Sequence, residues 1–138
     1  LGVREPGIYG RVTLDSAVAA AQKRARALQA ELEAFQANGE GALVDAIQGA
    51  VHRFDGLILN PGAYTHTSVA VRDAIQGVAL PCVEVHLSNL YARETFRQHS
   101  VTAPACVGII AGFGVRGYEL AVEALVTRLA TQKETPPS

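Results

Sequence analysis

Glu84 and His86 stand two residues apart in Pro81-Cys-Val-Glu-Val-His86, an otherwise apolar run. Residues two apart on a strand leave the same face, so this carboxylate and imidazole are expected side by side. A carboxylate inside an apolar strand is costly unless it is paired. Held against one ring nitrogen, it leaves the other to give or take a proton as an oriented acid or base. The pair also reads as a purely structural contact. Just beyond it, Leu87 and Ser88 could offer backbone N–H groups to an anion. Arg93 and Arg97, one helical turn apart, could supply cations for a carboxylate or could simply line a solvated face.

Other polar groups sit where strands should end. Asn60 closes an apolar run, His66 falls at the start of the next helix, and Asp73 lies seven residues on, on the same helical face. Each also has an ordinary reading: a helix cap or surface imidazole for His66, a solvated charge for Asp73. Arg4 and Tyr9 occupy a glycine- and proline-bearing opening segment. A phenol is a poor base at its usual pKa near 10, but a neighbouring guanidinium favours the phenolate. Four histidines and two cysteines form no HxxxH, HxH or CxxC spacing for a metal, and neither G-x-S-x-G nor a P-loop is present. The remaining set suits metal-free, cofactor-free proton transfer on a small polar anion. Gly112-Phe-Gly-Val-Arg-Gly117 spells G-x-G-x-x-G, but no strand with a ribose-holding acid follows it. A tight strand-to-helix turn is the expected use of these glycines.

The elements that must position these groups alternate. Helices are expected from Leu14 to Leu28 behind a Thr13 cap, from Gly41 through Phe54, over Thr65–Val78, and over Val115–Thr131. Strands are expected at Leu32–Gln36, Gly56–Asn60, Cys82–His86 and Val107–Ala111, with a polar stretch over Ser88–Ser100. Strand–helix alternation implies an α/β three-layer sandwich with a parallel sheet, whose ligands bind beyond the carboxyl ends of the strands. The chain's 138 residues match one domain, 49% of them hydrophobic and 18% charged, which excludes a disordered chain. A net charge of −1 with no basic stripe argues against nucleic acid and acidic membranes. No apolar stretch approaches a membrane span and the N-terminus carries no basic-then-apolar leader, so neither is expected. Cys82 and Cys106 are too few for a disulfide framework and match a reducing cytoplasm.

Five segments occur in one order: Leu1-Gly-Val-Arg-Glu-Pro-Gly-Ile-Tyr-Gly10, Asn60-Pro-Gly-Ala-Tyr-Thr-His-Thr-Ser68, Glu84-Val-His-Leu-Ser-Asn89, Arg93-Glu-Thr-Phe-Arg97 and Gly112-Phe-Gly-Val-Arg-Gly-Tyr118. Together they resemble type II 3-dehydroquinate dehydratase over residues 1 to about 130. The resemblance implies a flavodoxin-like fold with strand order 2-1-3-4-5. It also implies a lyase converting 3-dehydroquinate to 3-dehydroshikimate by anti elimination through an enolate, with no metal or cofactor, as in the shikimate pathway of aromatic amino-acid biosynthesis or in quinate catabolism. It implies a cytoplasmic dodecamer of four trimers.

By the same resemblance Tyr9 is the base, Arg4 favours its phenolate and stabilises developing charge, and residues 1–12 form a lid. His86 is the acid that protonates the departing hydroxyl, oriented by Glu84. Asn60, His66, Asp73 and Arg97 bind the substrate, and the N–H groups of Leu87 and Ser88 hold its carboxylate. Residues 1–132 are expected as one catalytic domain and 133–138 as a flexible tail. Two departures from the family stand out. The apolar first strand and its Asn-Gly-Pro-Asn-Leu motif are expected before Leu1, so the sheet's first strand is missing from this sequence. Gln36-Ala-Asn-Gly-Glu-Gly41 also lacks the family's hydroxyl beside the site. The rival expectation is a non-catalytic flavodoxin-like module that binds a small anion.

Overall fold

The computed structural model describes residues 14–134, with side chains to residue 132. The expected Thr13 cap, the Arg4–Tyr9 segment and residues 135–138 lie outside the described residues. In chain order come α1 (Leu14–Ala27), α2 (Glu40–Gly49), β1 (Leu57–Leu59), α3 (Val69–Val78), β2 (Cys82–His86), β3 (Gly108–Ala111) and α4 (Arg116–Glu134). Short 3-10 turns at Gly62–His66, Leu90–Ala92, Thr95–Gln98 and Ala103–Ala105 fill the connections.

The three strands form a parallel sheet in the order β1-β2-β3, with Leu59 opposite Glu84 and His86 opposite Ala111. All five residues of β2 are buried, as a central strand covered on both faces requires. Alternation then sorts the core into two sides. Cys82, Leu57 and Leu59 pack with Ile47 of α2 and with Val71, Ala74 and Ile75 of α3. Val83, Val85, Ile58 and Ile110 pack under Ala121 and Leu125 of α4. Beside α4, on the same face of the sheet, lies α1, whose Ala21 and Ala25 meet Val122 and pack with Ile58. Small alanine side chains let these two helices approach, and Arg24 reaches Glu123 across the seam at 3.3 Å. The result is the three-layer α/β sandwich expected from the sequence.

Four local expectations change. Residues 32–36 form no strand: a strand exists through its ladder, and no described strand lies alongside them. Leu32 still packs beside Ile58, while Phe35 is exposed. The helix α2 stops at Gly49, because the chain turns through Ala50–Arg53 with His52 in the left-handed region at φ 68°. Val51 and Phe54 therefore lie past its end. The expected helix over 65–78 begins later, since Gly62–His66 is a 3-10 turn and Ser68 caps α3 by accepting from Val71 N–H at 3.0 Å. At the other end of the chain, α4 runs to Glu134 rather than Thr131.

Candidate active site

β2 delivers Glu84 and His86 to the face that also carries Cys82, at the carboxyl end of the sheet. Glu84 is completely buried and His86 nearly so. His86 Nε2 lies 2.8 Å from Glu84 Oε2. An ionised carboxylate only accepts, so Nε2 carries the hydrogen and Nδ1 is left as the other functional nitrogen. Among the described residues no group hydrogen-bonds Nδ1, and no side-chain polar atom is buried without a partner.

Three hydroxyls complete the surroundings of Glu84. Ser100 Oγ donates to Oε2 at 2.9 Å, and Thr65 Oγ1 lies 3.1 Å from the same oxygen. Thr102 Oγ1 makes a short bond to Oε1. The hydroxyls also touch one another: Thr65 to Ser100 at 2.5 Å, Thr65 to Thr102 at 2.9 Å and Ser100 to Thr102 at 3.1 Å. Burial pushes the Glu84 carboxyl up, but hydrogen bonds from His86, Thr102 and Ser100, with the imidazole's charge, outweigh it and hold the group below its ordinary value. The carboxylate is thus ionised in the interior because donors surround it.

None of these three hydroxyls is singled out by the sequence, in which Thr65 only opens an expected helix. The available signal was indirect. A buried carboxylate demands donors, and Ser100-Val-Thr102 places two hydroxyls at alternate positions in the segment leading to β3.

Neighbouring segments converge on the same edge. Val101 N–H donates to Thr65 C=O at 2.6 Å, tying the 62–66 turn to the 100–102 segment. His66 donates through Nδ1 to His99 C=O at 2.8 Å and meets the Phe96 ring edge-on at 6.3 Å. Asn60 sits at the end of β1, where its Oδ1 accepts from Gly62 N–H at 3.0 Å and its amide donates to Tyr118 Oη at 2.9 Å. The N–H groups of Leu87 and Ser88 donate to no described residue. Their strand end is clamped by the glycine turn: Gly112 N–H reaches His86 C=O at 3.2 Å and Gly114 N–H reaches Leu87 C=O at 2.9 Å. Gly112 and Gly114 have φ of 98° and 59°, and a Cβ on Gly117 would stand 3.1 Å from Val85 Cγ1. The G-x-G-x-x-G run is therefore a turn that holds the His86 strand in place.

Three expected residues stand outside the cluster around Glu84. Asp73 hydrogen-bonds to no described residue and lines an open groove between α2 and α3 with Gln48 and Val51, away from Glu84. The 3-10 start of its helix breaks the face it was expected to share with His66. Arg93 and Arg97 share no helix either, since the chain is extended at Arg93 between two 3-10 turns. Arg93 reaches Ser88 Oγ at 3.4 Å. Arg97 stacks over Phe96 at 5.2 Å and pairs with Glu94 at 3.4 Å, half-exposed. Tyr9 and Arg4 lie outside the described residues. No cluster of three or more His, Cys, Asp or Glu suited to a metal occurs among the described residues.

A family profile described as dehydroquinase class II matches residues 1–126. The chain belongs to that family. A 3-dehydroquinate dehydratase from Jannaschia sp. (strain CCS1) is 57% identical over 129 residues, covering 94% of this chain and 87% of that protein. The catabolic 3-dehydroquinase 1 of Aspergillus terreus is 56% identical over 123 residues, covering 89% and 81%. In structure, the type II dehydroquinase of Propionibacterium acnes superposes with a TM-score of 0.86 at 41% identity, over 92% of this chain and 88% of that one. For a class II dehydroquinase, then, the buried Glu84–His86 pair stands at the sheet edge where an α/β fold binds its ligands. No helix among the described residues is long and apolar enough to cross a membrane.

Proposed function

We propose a residue-level account of how this chain dehydrates 3-dehydroquinate to 3-dehydroshikimate. The observation that carries it is the buried imidazole held at Nε2 by Glu84, with Nδ1 left for proton transfer. Tyr9 removes the proton beside the ketone, and Arg4 favours its phenolate and steadies the enolate that forms. The enolate collapses, the carbon–oxygen bond on the opposite face breaks, and His86, carrying a second proton on Nδ1 in the reacting complex while Glu84 holds Nε2–H, gives that Nδ1 proton to the departing hydroxyl, which leaves as water. Proton donation of this kind is worth about 10²–10⁴-fold in rate. Asn60 and His66 hold the substrate's hydroxyls and ring, the N–H groups of Leu87 and Ser88, which donate to no described residue, receive its carboxylate, and Arg97 supplies a cation to it. Arg97 does so by exchanging Glu94 for the substrate. The names of the relatives weigh against the rival reading of a non-catalytic binding module.

Adding 3-dehydroquinate to the folded protein and following the ultraviolet absorbance of the conjugated enone tests the reaction. A rise in absorbance is expected, and a folded, inert sample overturns it.

The assembly we propose is the dodecamer of four trimers. Exposed Tyr91, Phe96 and Phe113 support burial of this surface in an oligomer. Sedimentation as a stable monomer would refute that assembly. A cytoplasmic setting is supported by the free thiols of Cys82 and Cys106, which lie in contact. Residues 1–132 are proposed as one domain with 1–12 as its lid, and limited proteolysis that spares 14–132 would support these limits.

A further inference from the structure

We propose that Ser100 and Thr102, with Thr65 acting through Ser100, are positioning residues that fix His86 in the tautomer bearing its hydrogen on Nε2. The argument is a count of protons. Glu84 is surrounded by three hydroxyls and one imidazole, and each hydroxyl has one hydrogen to give. Thr65 and Ser100 stand 2.5 Å apart, so one of them must donate to the other.

Ser100 Oγ also accepts from Ala103 N–H at 2.9 Å and is the nearer of the two to Glu84 Oε2, at 2.9 Å against 3.1 Å. The arrangement that satisfies these contacts runs from Thr65 to Ser100 to Glu84 Oε2, while Thr102 donates straight to Oε1. Every hydroxyl hydrogen is then committed toward keeping Glu84 ionised, and an ionised carboxylate can only accept from His86 Nε2–H. The imidazole cannot turn its bare nitrogen toward the carboxylate without placing two acceptors 2.8 Å apart. Its other nitrogen, Nδ1, is therefore the one that handles the substrate's proton.

The titratable groups facing Glu84 among the described residues are His86 and, lower on the same strand, Cys82, whose thiol is pushed up by contact with Cys106 and by burial. Neither Asp73 nor Arg97 hydrogen-bonds to the cluster. The hydroxyls are thus what separates this carboxylate from an ordinary buried acid.

This inference rests on His86 being the acid, and its test separates the two claims. The imidazole 15N shifts of the full-length protein are read by magic-angle-spinning NMR, with His86 assigned by difference against His86→Asn. Wild type, read at a pH where the ring is neutral, is expected to show one tautomer, protonated at Nε2. Thr102→Val and Ser100→Ala are each expected to give a mixture of tautomers. They are also expected to lower kcat about tenfold with KM little changed, the effect of losing one hydrogen bond to a charged group. The acid limb of the kcat profile should move to higher pH, because a carboxylate with fewer donors takes up a proton more readily. Thr102→Ser, which keeps the hydroxyl, should restore all three readouts. Thr65→Val should do less, since it acts at one remove.

Variants that keep the wild-type tautomer and the wild-type acid limb overturn the proposal, whatever happens to kcat. If Thr102→Val does not fold, Ser100→Ala at its half-buried site decides by the same readouts. An inert protein that nonetheless shows the Nε2 tautomer and loses it in the variants would sink the dehydratase mechanism while leaving this proposal standing.

Discussion

The two halves of the candidate site are built on opposite principles. Around Glu84 the carboxylate is fully buried and both its oxygens are hydrogen-bonded, with donors arriving from the 62–66 turn, from β2 itself and from the 100–102 segment. Around Arg97 the groups are exposed, carried on 3-10 turns, and engaged in pairs that water can replace. An exposed ion pair such as Arg97–Glu94 contributes at most about 1 kcal/mol. Losing a partner inside a buried network costs about 1–3 kcal/mol, and more where a charge is stranded. On the proposed roles, the proton-transfer half is set before substrate arrives. The anion-binding half can release its own partners to take up the ligand.

The contrast is best broken at its strong end. His86→Ala should lower kcat by about 10²–10⁴-fold with a modest change in KM, measured by steady-state kinetics. A loss below tenfold would remove His86 from the acid's role and erase the distinction. Next comes Arg97→Ala, expected to act chiefly on KM and to lower kcat/KM about 10–100-fold, the range of a charge-assisted bond to a carboxylate. Should it cut kcat more than His86→Ala does, the two halves have been assigned the wrong way round.

Glu84→Gln sharpens the difference through stability and pH. The carboxyl of Glu84 is held below its ordinary value in the folded chain, so the stability it confers is complete above the unfolded value. That contribution is lost as pH falls through the lowered folded value. Urea unfolding midpoints should therefore decline on acidification in wild type, less so in Glu84→Gln, which should also be about 1–3 kcal/mol less stable near neutral pH. Identical pH slopes in the two proteins would contradict the reading. Smallest of all is Glu94→Ala, which frees Arg97. It should change stability by under about 0.5 kcal/mol and leave KM the same or slightly lower.

The same division explains how much could be read from the sequence. The β2 strand was plain, because Pro81 marks its start and its apolar residues suit a strand covered on both faces. The Glu84–His86 pairing followed from two-residue periodicity alone. The turn at Gly112–Gly117 was legible because no acid-bearing strand follows it. The donors to Glu84 were not, since Thr65, Ser100 and Thr102 lie 16 to 19 residues away and hydroxyl residues are common everywhere. Residues 32–36 misled because a weak alternation cannot reveal whether a neighbour will pair with it. Arg93 and Arg97 misled through their spacing, which suggests one helical face although Asn89 caps a single turn and the chain straightens at Arg93. Long-range polar satisfaction and short irregular turns are the features a local reading reaches last.

The placement of Glu84 also bears on how the domain folds. Its donors come from chain segments on both sides of β2, so no partial structure containing the strand alone can satisfy the carboxylate. A sheet assembled without the 100–102 segment would strand a charge among apolar side chains, a penalty of several kcal/mol. Such intermediates are depopulated, which pushes the transition toward all-or-none behaviour. The group that orients the acid thereby also acts as a checkpoint: a chain that has buried β2 stably has, by necessity, closed the site around it.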